Sequence, residues 1–224
     1  MVSNFSIAEE NYIKAIYHLQ QCNTSVATND VATALQTKAA SVSDMLKKLK
    51  AKNVVEYEKY KGFVLSNNGE KVALSIVRKH RLWEFFLVEK LQFEWDEVHE
   101  VAEELEHISS KKLVDKLDAY LGFPKFDPHG DPIPDSNGIV LNQQQILLVE
   151  APAKVQLIIS AVANQSSALL ELLKHKNLAI GTSLQIEQRF GFDESLEIQL
   201  LKTSEVLTIS HQLAKALFVK IAAL

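Results

Sequence analysis

Residues 39–65 read AASVSDMLKKLKAKNVVEYEKYKGFVL and define the architecture of the amino-terminal part of the chain. Apolar side chains recur at helical spacing in the first half of this segment, which predicts a helix over about 39–51. The apolar runs at 54–57 and 63–65 predict two strands, and Gly62 can supply the positive φ of the turn between them. The apolar positions of the helix are Val42, Met45, Leu46 and Leu49.

Two further helices are predicted upstream. Ser6 and Glu9 have the Ser-x-x-Glu spacing of a capping box, so a helix is expected to begin there. Thr28 can cap a short helix over 30–35, which a break at 36–37 separates from the next helix. Helix, short helix, helix and hairpin is the element order of a winged helix-turn-helix.

Downstream, helical patterns cover about 69–91, 95–108 and 110–121. Four of the five prolines follow in 122–134, which we interpret as an ordered connector. From about residue 140 short apolar runs predict a compact β domain with the topology of a small barrel. The predicted strands are 145–150, 155–161, 183–189, 195–201 and 205–209, with a small helix at 167–174.

The predicted fold class is therefore mainly α with a small β domain. We expect a winged helix-turn-helix at 1–73, a helical domain at 74–139 and the β domain at 140–224.

Composition bounds the class of protein. Hydrophobic residues make up 47% of the 224 residues, which is enough apolar material for a core. No apolar run approaches the roughly 18–20 residues that cross a bilayer, and the amino terminus lacks a signal pattern. The single cysteine, Cys22, rules out an internal disulfide. We expect a cytoplasmic protein without a membrane partner.

Charge is distributed unevenly, although the formal net charge is only −4. Residues 38–61 contain seven lysines and three acids, whereas residues 94–106 contain seven acids and no lysine or arginine. The basic block favours an anionic partner and the acidic block favours a cation.

The acidic block contains a pattern typical of metal ligands. His99, Glu103, Glu106 and His107 recur at i, i+4, i+7 and i+8, so on one helix they would share a face. Imidazole and carboxylate together suit a divalent first-row transition metal. The competing interpretation of this segment is a solvated acidic helix.

His80 and Glu84 add two more candidate ligands one helical turn apart. A closed structural zinc site is not favoured, because six donors exceed what it needs and none is a cysteine. The set suits one or two ions of Mn(II), Fe(II), Co(II) or Zn(II). His129, in the proline-rich connector, could be a ligand, but we interpret it as a histidine held by backbone contacts.

The helix at 39–51 offers a candidate surface for double-stranded DNA. Small residues let the start of a helix approach base edges, and lysines there and in the wing can contact phosphates. The competing interpretation is a solvated lysine-rich helix. The candidate residues are Thr37, Lys38, Ala40, Ser41, Ser43, Asp44, Lys47 and Lys48, with Lys59 and Lys61 in the wing.

These motifs resemble the diphtheria-toxin-repressor family of metal-dependent bacterial transcription regulators. The resemblance covers residues 5–135, and the β segment fits the SH3-like domain of its three-domain members. It is carried by Arg78-Lys-His-Arg-Leu82 with Glu84, by His99-x-x-x-Glu103-x-x-Glu106-His107, by Glu10–Tyr17, by Leu121–Lys125 and by Pro128-His-Gly130.

The resemblance implies two metal sites in each subunit of a homodimer. The primary site would combine Asn11, at the start of the first helix, with Glu103, Glu106 and His107. The ancillary site would combine His80, Glu84 and His99 with an oxygen donor from the third domain, Gln165 by approximate position.

Two positions bear on the choice of metal. Glu103 stands where iron-sensing members place a cysteine, and a hard carboxylate favours Mn(II), with Fe(II) as the alternative. Asn11 departs from the Asp or Met of the family, so its amide oxygen would coordinate without charge. Lys14, where two-domain manganese regulators carry another acid, agrees with the three-domain type.

The resulting hypothesis is a metal-responsive repressor without a small-molecule substrate or catalytic residues. One alternative is a helical di-metal oxidase or hydrolase, which should carry two Glu-x-x-His motifs, whereas only Glu104–His107 has that spacing. A second alternative is a winged-helix regulator whose metal is purely structural.

Overall fold

A computed structural model describes residues 5–23, 25–59 and 62–222 of the chain, without the side chain of Cys22. The chain divides into two compact units. The first unit comprises Met1–His80, Glu103–Leu117 and Pro134–Ile139, and the second comprises Arg81–Ala102, Asp118–Ile133 and Val140–Leu224.

The first unit begins with the predicted winged helix-turn-helix. Its helices are α1 (Ile7–Cys22), α2 (Thr28–Ala34) and α3 (Ala39–Ala51), followed by β1 (Val55–Glu58) and β2 (Gly62–Leu65). Ser6 and Glu9 form the predicted capping box of α1. The strands pair antiparallel with Val55 opposite Leu65.

One core joins the elements of this unit. Ile13 and Ile16 of α1 pack with Val42, Leu46 and Leu49 of α3, and all five are almost completely buried. Burying one such side chain contributes about 1.5–3 kcal/mol. Helices α1 and α3 are therefore parts of one body.

Gly62 fixes the wing to the segment before α2. Its φ is +72°, and a Cβ there would lie 2.3 Å from the carbonyl oxygen of Val26. Phe63 N donates to that same oxygen at 3.0 Å. No other residue type fits this position without moving the backbone.

The helices that follow are α4 (Asn67–Leu91), α5 (Val98–Leu105) and α6 (Lys111–Tyr120). None of the helices in the described part of the chain is both long enough and apolar enough to cross a membrane.

The second unit contains a six-stranded antiparallel sheet in the order β3-β8-β4-β5-β6-β7, consistent with the expected SH3-like domain. Alternate side chains of its strands face a core that includes Leu157, Ile159, Leu184 and Ile198. Trp95, from the segment before α5, packs against the same core. The elements are β3 (Ile146–Leu147), β4 (Gln156–Val162), α7 (Ser167–His175), β5 (Ser183–Arg189), β6 (Leu196–Leu200), β7 (Val206–Ile209), α8 (His211–Lys215) and β8 (Leu217–Ile221).

The structure departs from the predicted elements in three places. The helix predicted over 95–108 is shorter, Val98–Leu105, so Glu106 and His107 lie in a turn after it. The strand predicted over 145–150 has only two paired residues. The sequence reading also missed α8 and β8, although β8 pairs with both β3 and β4.

Candidate metal centres

The first unit contains five of the predicted ligands. Glu103, Glu106 and His107 come from α5 and the turn after it, and Asn11 of α1 lines the same cavity as Glu103. His80, near the middle of α4, reaches the same carboxylates. We call Asn11, His80, Glu103, Glu106 and His107 the first centre.

Glu106 is the most buried member of the first centre, with no exposed side-chain surface. His80 Nδ1 lies 2.7 Å from its Oε2. Burial alone would raise the pKa of Glu106, but the hydrogen bond from His80 and the charge of Lys14 hold it below its ordinary value. Glu106 is therefore an anion in a buried setting, which requires a cation beside it.

Glu10 orients His107. The Nδ1 of His107 lies 2.6 Å from Glu10 Oε2, and the opposite ring nitrogen, Nε2, lies 3.8 Å from Glu106 Oε1. A carboxylate behind an imidazole fixes the ring and raises the basicity of its other nitrogen, as in many metal sites. The arrangement leaves Nε2 of His107 turned toward Glu106.

Asn11 supplies an observation that favours a cation at this place. Its side-chain oxygen is buried, and no hydrogen bond within the described residues reaches it. A buried amide oxygen without a donor costs about 1–3 kcal/mol. A cation coordinated by this oxygen would remove that cost, so the residues present fit a divalent ion.

Lys14, one turn after Asn11, lies among the same carboxylates. Its Nζ is 2.5 Å from Glu103 Oε1 and 2.7 Å from Glu106 Oε1. The lysine side chain is only 12% exposed. The sequence reading used Lys14 only to choose between family types and did not predict this contact.

The second unit contains another cluster of possible ligands. One donor atom from each of Glu84, Asp127 and His129 lies within 4.8 Å of the other two, and all three residues are buried. His99 Nδ1 lies 3.4 Å from Glu84 Oε1 at the edge of this group. We call Glu84, Asp127 and His129 the second centre.

One ring nitrogen of His129 faces the cluster. Its Nε2 hydrogen-bonds to the carbonyl oxygen of Trp95 at 2.8 Å, and its Nδ1 lies 3.7 Å from Glu84 Oε2 with no hydrogen bond. Burial lowers the pKa of His129, but the facing charge of Glu84 raises it above its ordinary value. The backbone contact that the sequence predicted for His129 exists, and it directs Nδ1 toward the cluster.

Asp127 uses its two oxygens differently. Oδ1 accepts hydrogen bonds from the backbone N–H groups of His129 and Asp131, at 2.8 and 3.0 Å, which shapes the connector. Oδ2 accepts no hydrogen bond within the described residues, and Arg81 Nε lies 3.5 Å from it. Burial, together with the charges of Glu84 and Asp131, raises the pKa of Asp127 to about 8.

Gln165, the expected donor from the third domain, lies beside this centre. Its Nε2 donates to Asp131 Oδ2 at 3.1 Å, and Arg81 Nη2 lies 3.5 Å from the same oxygen. Burial raises the pKa of Asp131, although Arg81 opposes this. The amide thus contacts the connector that carries Asp127 and His129.

The structure adds contacts that neither the sequence nor the resemblance implied. His99 contacts Glu84, and Glu103 and Glu106 contact Lys14. His80, which the resemblance placed with Glu84 and His99, contacts Glu106. The sequence reading set aside His129 and did not consider Asp127, although Asp-x-His in an ordered proline-rich connector is a signal for such a pair.

The candidate DNA surface is an exposed face of α3. Helices α2 and α3 are joined by a tight turn, in which Gln36 has a φ of +48° and Thr37 N donates to Ala32 O at 2.9 Å. Asp44 and Lys47 form an exposed ion pair, Nζ to Oδ1 3.1 Å. Lys38, Ala40, Ser41, Asp44, Lys47, Lys48 and Lys59 are exposed, Thr37 and Ser43 are half-buried, and Lys61 lies outside the described residues.

Models of two known domain families match most of the sequence. The model of the iron-dependent repressor N-terminal DNA-binding domain matches residues 4–63, and that of the iron-dependent repressor metal-binding and dimerisation domain matches residues 66–135. The HTH-type transcriptional regulator MntR of Oceanobacillus iheyensis is 32% identical over 118 residues, which are 53% of this chain and 80% of that protein. The chain belongs to the diphtheria-toxin-repressor family. Members of this family are metal-dependent transcriptional repressors, not enzymes, and the di-metal enzyme alternative has no support among the relatives.

Two further relatives extend the likeness. The iron-dependent repressor IdeR of Mycobacterium leprae is 29% identical over 125 residues, which are 56% of this chain and about half, 54%, of that protein. A solved structure described as a manganese-dependent transcriptional repressor in complex with manganese has a TM-score of 0.86 and 29% identity. It covers 96% of this chain, and all of that chain is matched, so the likeness of this family member includes the β domain.

Proposed function

We propose that this chain is a manganese-responsive repressor that binds operator DNA as a homodimer in the cytoplasm, with Fe(II) as the alternative metal. The observation that carries the proposal is the donor set of the first centre. Asn11, Glu103 and Glu106 offer oxygen and His80 and His107 offer nitrogen, with no sulfur among them. Such a set favours Mn(II) over metals that prefer thiolate.

The position of Asn11 links this centre to DNA binding. Asn11 lies on α1, whose Ile13 and Ile16 pack in the same core as α3. A bound divalent ion would supply positive charge that joins α1 to the carboxylates of α5 and the turn after it. The residues of α1 would then hold α3, the proposed recognition helix, in one orientation. The two recognition helices of a dimer must meet major grooves about 34 Å apart.

We also propose the second centre as a metal site. Glu84, Asp127 and His129 would hold the ion, His99 lies beside Glu84, and Gln165 remains the candidate oxygen donor from the β domain. The buried Nδ1 of His129 supports this assignment, because no hydrogen bond within the described residues uses it. Each subunit would then bind up to two ions.

The division into 1–73, 74–139 and 140–224 completes the proposal. The first domain would bind DNA through α3 and the wing, the second would bind metal and dimerise, and the third would adjoin the second centre.

The test is DNA binding as a function of metal. The protein first selects its operator from a random DNA library in the presence of Mn(II), and affinity for that duplex is then measured with Mn(II), Fe(II), Co(II), Zn(II) or a chelator. Salt is held constant, because phosphate contacts make affinity strongly salt-dependent. We expect binding with Mn(II) and its loss with the chelator. Equal affinity in the two conditions would refute a metal-responsive mechanism.

A further inference from the structure

We propose that Lys14 is a built-in competitor of the metal, whose ammonium group sets the concentration at which the first centre fills. The inference rests on the proposed function, because it concerns the same centre. It assigns to Lys14 a role in metal affinity, not in metal coordination.

The geometry places the ammonium where a cation bound by the two carboxylates must lie. Lys14 Nζ is 2.5 Å from Glu103 Oε1 and within 2.8 Å of both oxygens of Glu106. These are the distances of direct hydrogen-bonded ion pairs. Two cations cannot share these oxygens at such distances without strong repulsion, so metal binding requires Lys14 to withdraw.

The ion pair between Lys14 and Glu106 is buried, which strengthens its competition with a metal ion. The side chain of Glu106 has no exposed surface and that of Lys14 is 12% exposed, so the ion pair is poorly screened by solvent. By contrast, Lys52 pairs with Glu9 at 2.7 Å in the same unit, but the Lys52 side chain is 36% exposed. Lys52 therefore provides a matched lysine whose ion pair includes no member of the first centre.

A cavity gives Lys14 room to withdraw. It has a volume of about 420 Å³ and is lined by Asn11, Lys14, His18, Leu19, Leu35 and Glu103, among others. A lysine stem can lie along apolar side chains while its ammonium reaches solvent. Leu19 and Leu35 line the cavity beside Lys14 and offer such a surface.

The consequence is a raised threshold for metal. A divalent ion gains two carboxylates only by breaking the contacts of Lys14 with both. Hydrogen bonds to charged groups contribute roughly 1.5–3 kcal/mol, which corresponds to about ten- to a hundredfold in affinity. Removing the ammonium while keeping the length of the side chain therefore strengthens metal binding.

The test compares Lys14→Met with Lys14→Arg, which keeps the charge, and with Lys52→Met, which removes a charge from the same unit. Binding of Mn(II) is followed by the loss of the electron paramagnetic resonance signal of the free ion. All variants carry Asp127→Asn, which weakens the second centre but leaves an oxygen for the backbone hydrogen bonds of the connector. Melting temperature with a chelator is measured in parallel.

We expect Lys14→Met to bind Mn(II) about tenfold more tightly or better, and Lys14→Arg and Lys52→Met to stay near the parent. With the chelator, Lys14→Met should melt at a lower temperature, because Glu103 and Glu106 lose their cation. Unchanged or weaker Mn(II) binding by a folded Lys14→Met would overturn the inference about Lys14. The proposed function would still stand if the parent binds DNA only with Mn(II). If Lys14→Met does not fold, Lys14→Gln makes the same comparison. Absence of saturable Mn(II) binding in parent and variants alike would overturn both.

Discussion

His107 Nδ1 lies 2.6 Å from Glu10 Oε2, and this contact joins α1 to the turn after α5. Glu10 also lies 4.0 Å from the ammonium of Lys79. Glu10 therefore holds the imidazole of His107 in one orientation. It is not among the residues of the first centre.

Glu10→Gln should weaken Mn(II) binding at the first centre about 10–100-fold, the usual effect of losing a carboxylate behind a metal-bound histidine. The amide keeps the size of the side chain but removes the charge that supports His107. Metal titration and Mn(II)-dependent DNA binding measure the effect. Glu100→Gln, an exposed acid on α5, is the control. Equal affinities of the two variants would show that Glu10 does not position His107.

Glu103→Cys should move metal preference toward softer ions, because it replaces a carboxylate by a thiolate. We expect Zn(II) and Co(II) to gain relative to Mn(II) as activators of DNA binding. Glu104→Cys adds a thiol at an exposed position of the same helix and should leave the order of metals unchanged. If both variants rank the metals as the parent does, Glu103 is not a ligand.

Asp127 makes the stability of chelator-treated protein depend on pH. Its pKa of about 8 in the folded chain exceeds the ordinary value of 3.8, so the unfolded chain loses this proton first as pH rises. The stabilisation is complete below about pH 4 and is lost as pH rises through about 8. The raised pKa of His129 acts in the same direction, whereas the lowered pKa of Glu106 gives a stabilisation that is lost as pH falls.

Asp127→Asn should flatten this dependence, by at most about 1.4 kcal/mol per pH unit. Urea unfolding between pH 5 and 8 measures it, and Asp193→Asn at an exposed turn should keep the slope of the parent. If the unfolding free energies of the parent and of Asp127→Asn depend on pH in the same way, Asp127 is not protonated in this range.

Lys48→Gln should weaken DNA binding similarly for all sequences and reduce the slope of log affinity against log salt by about one, if Lys48 contacts one phosphate. Lys48 is exposed on α3. Affinity is measured at several salt concentrations with saturating Mn(II). Lys112→Gln, an exposed lysine on α6, should leave the slope unchanged, and an equal slope for Lys48→Gln would remove Lys48 from the interface.

The winged helix-turn-helix could be predicted because its signals are local. The capping box at Ser6 and Glu9, the apolar spacing in α3 and the turn at Gly62 each involve residues close in sequence. The strand β8 was missed because no turn signal separates it from α8, and its mostly apolar sequence, LFVKI, does not alternate.

The grouping of the ligands could not be predicted, because it depends on contacts between distant segments. Lys14 and Glu106 are 92 residues apart, and no local pattern reports that they meet. The end of α5 at Leu105 could not be predicted either, since neither glycine nor proline follows it closely. Residue types thus indicated the chemistry of the site, whereas tertiary packing determined which donors lie together.

Asp127 Oδ1 accepts hydrogen bonds from the amides of His129 and Asp131, so part of the conformational entropy of this loop is already lost during folding. An ion that binds at the proposed second centre would therefore find its donors in place, but it would have to displace the proton of Asp127, whose pKa is about 8. An ion at the first centre would instead have to displace the ammonium of Lys14. Filling the second centre near neutral pH should accordingly acidify the solvent, whereas filling the first should free a lysine side chain.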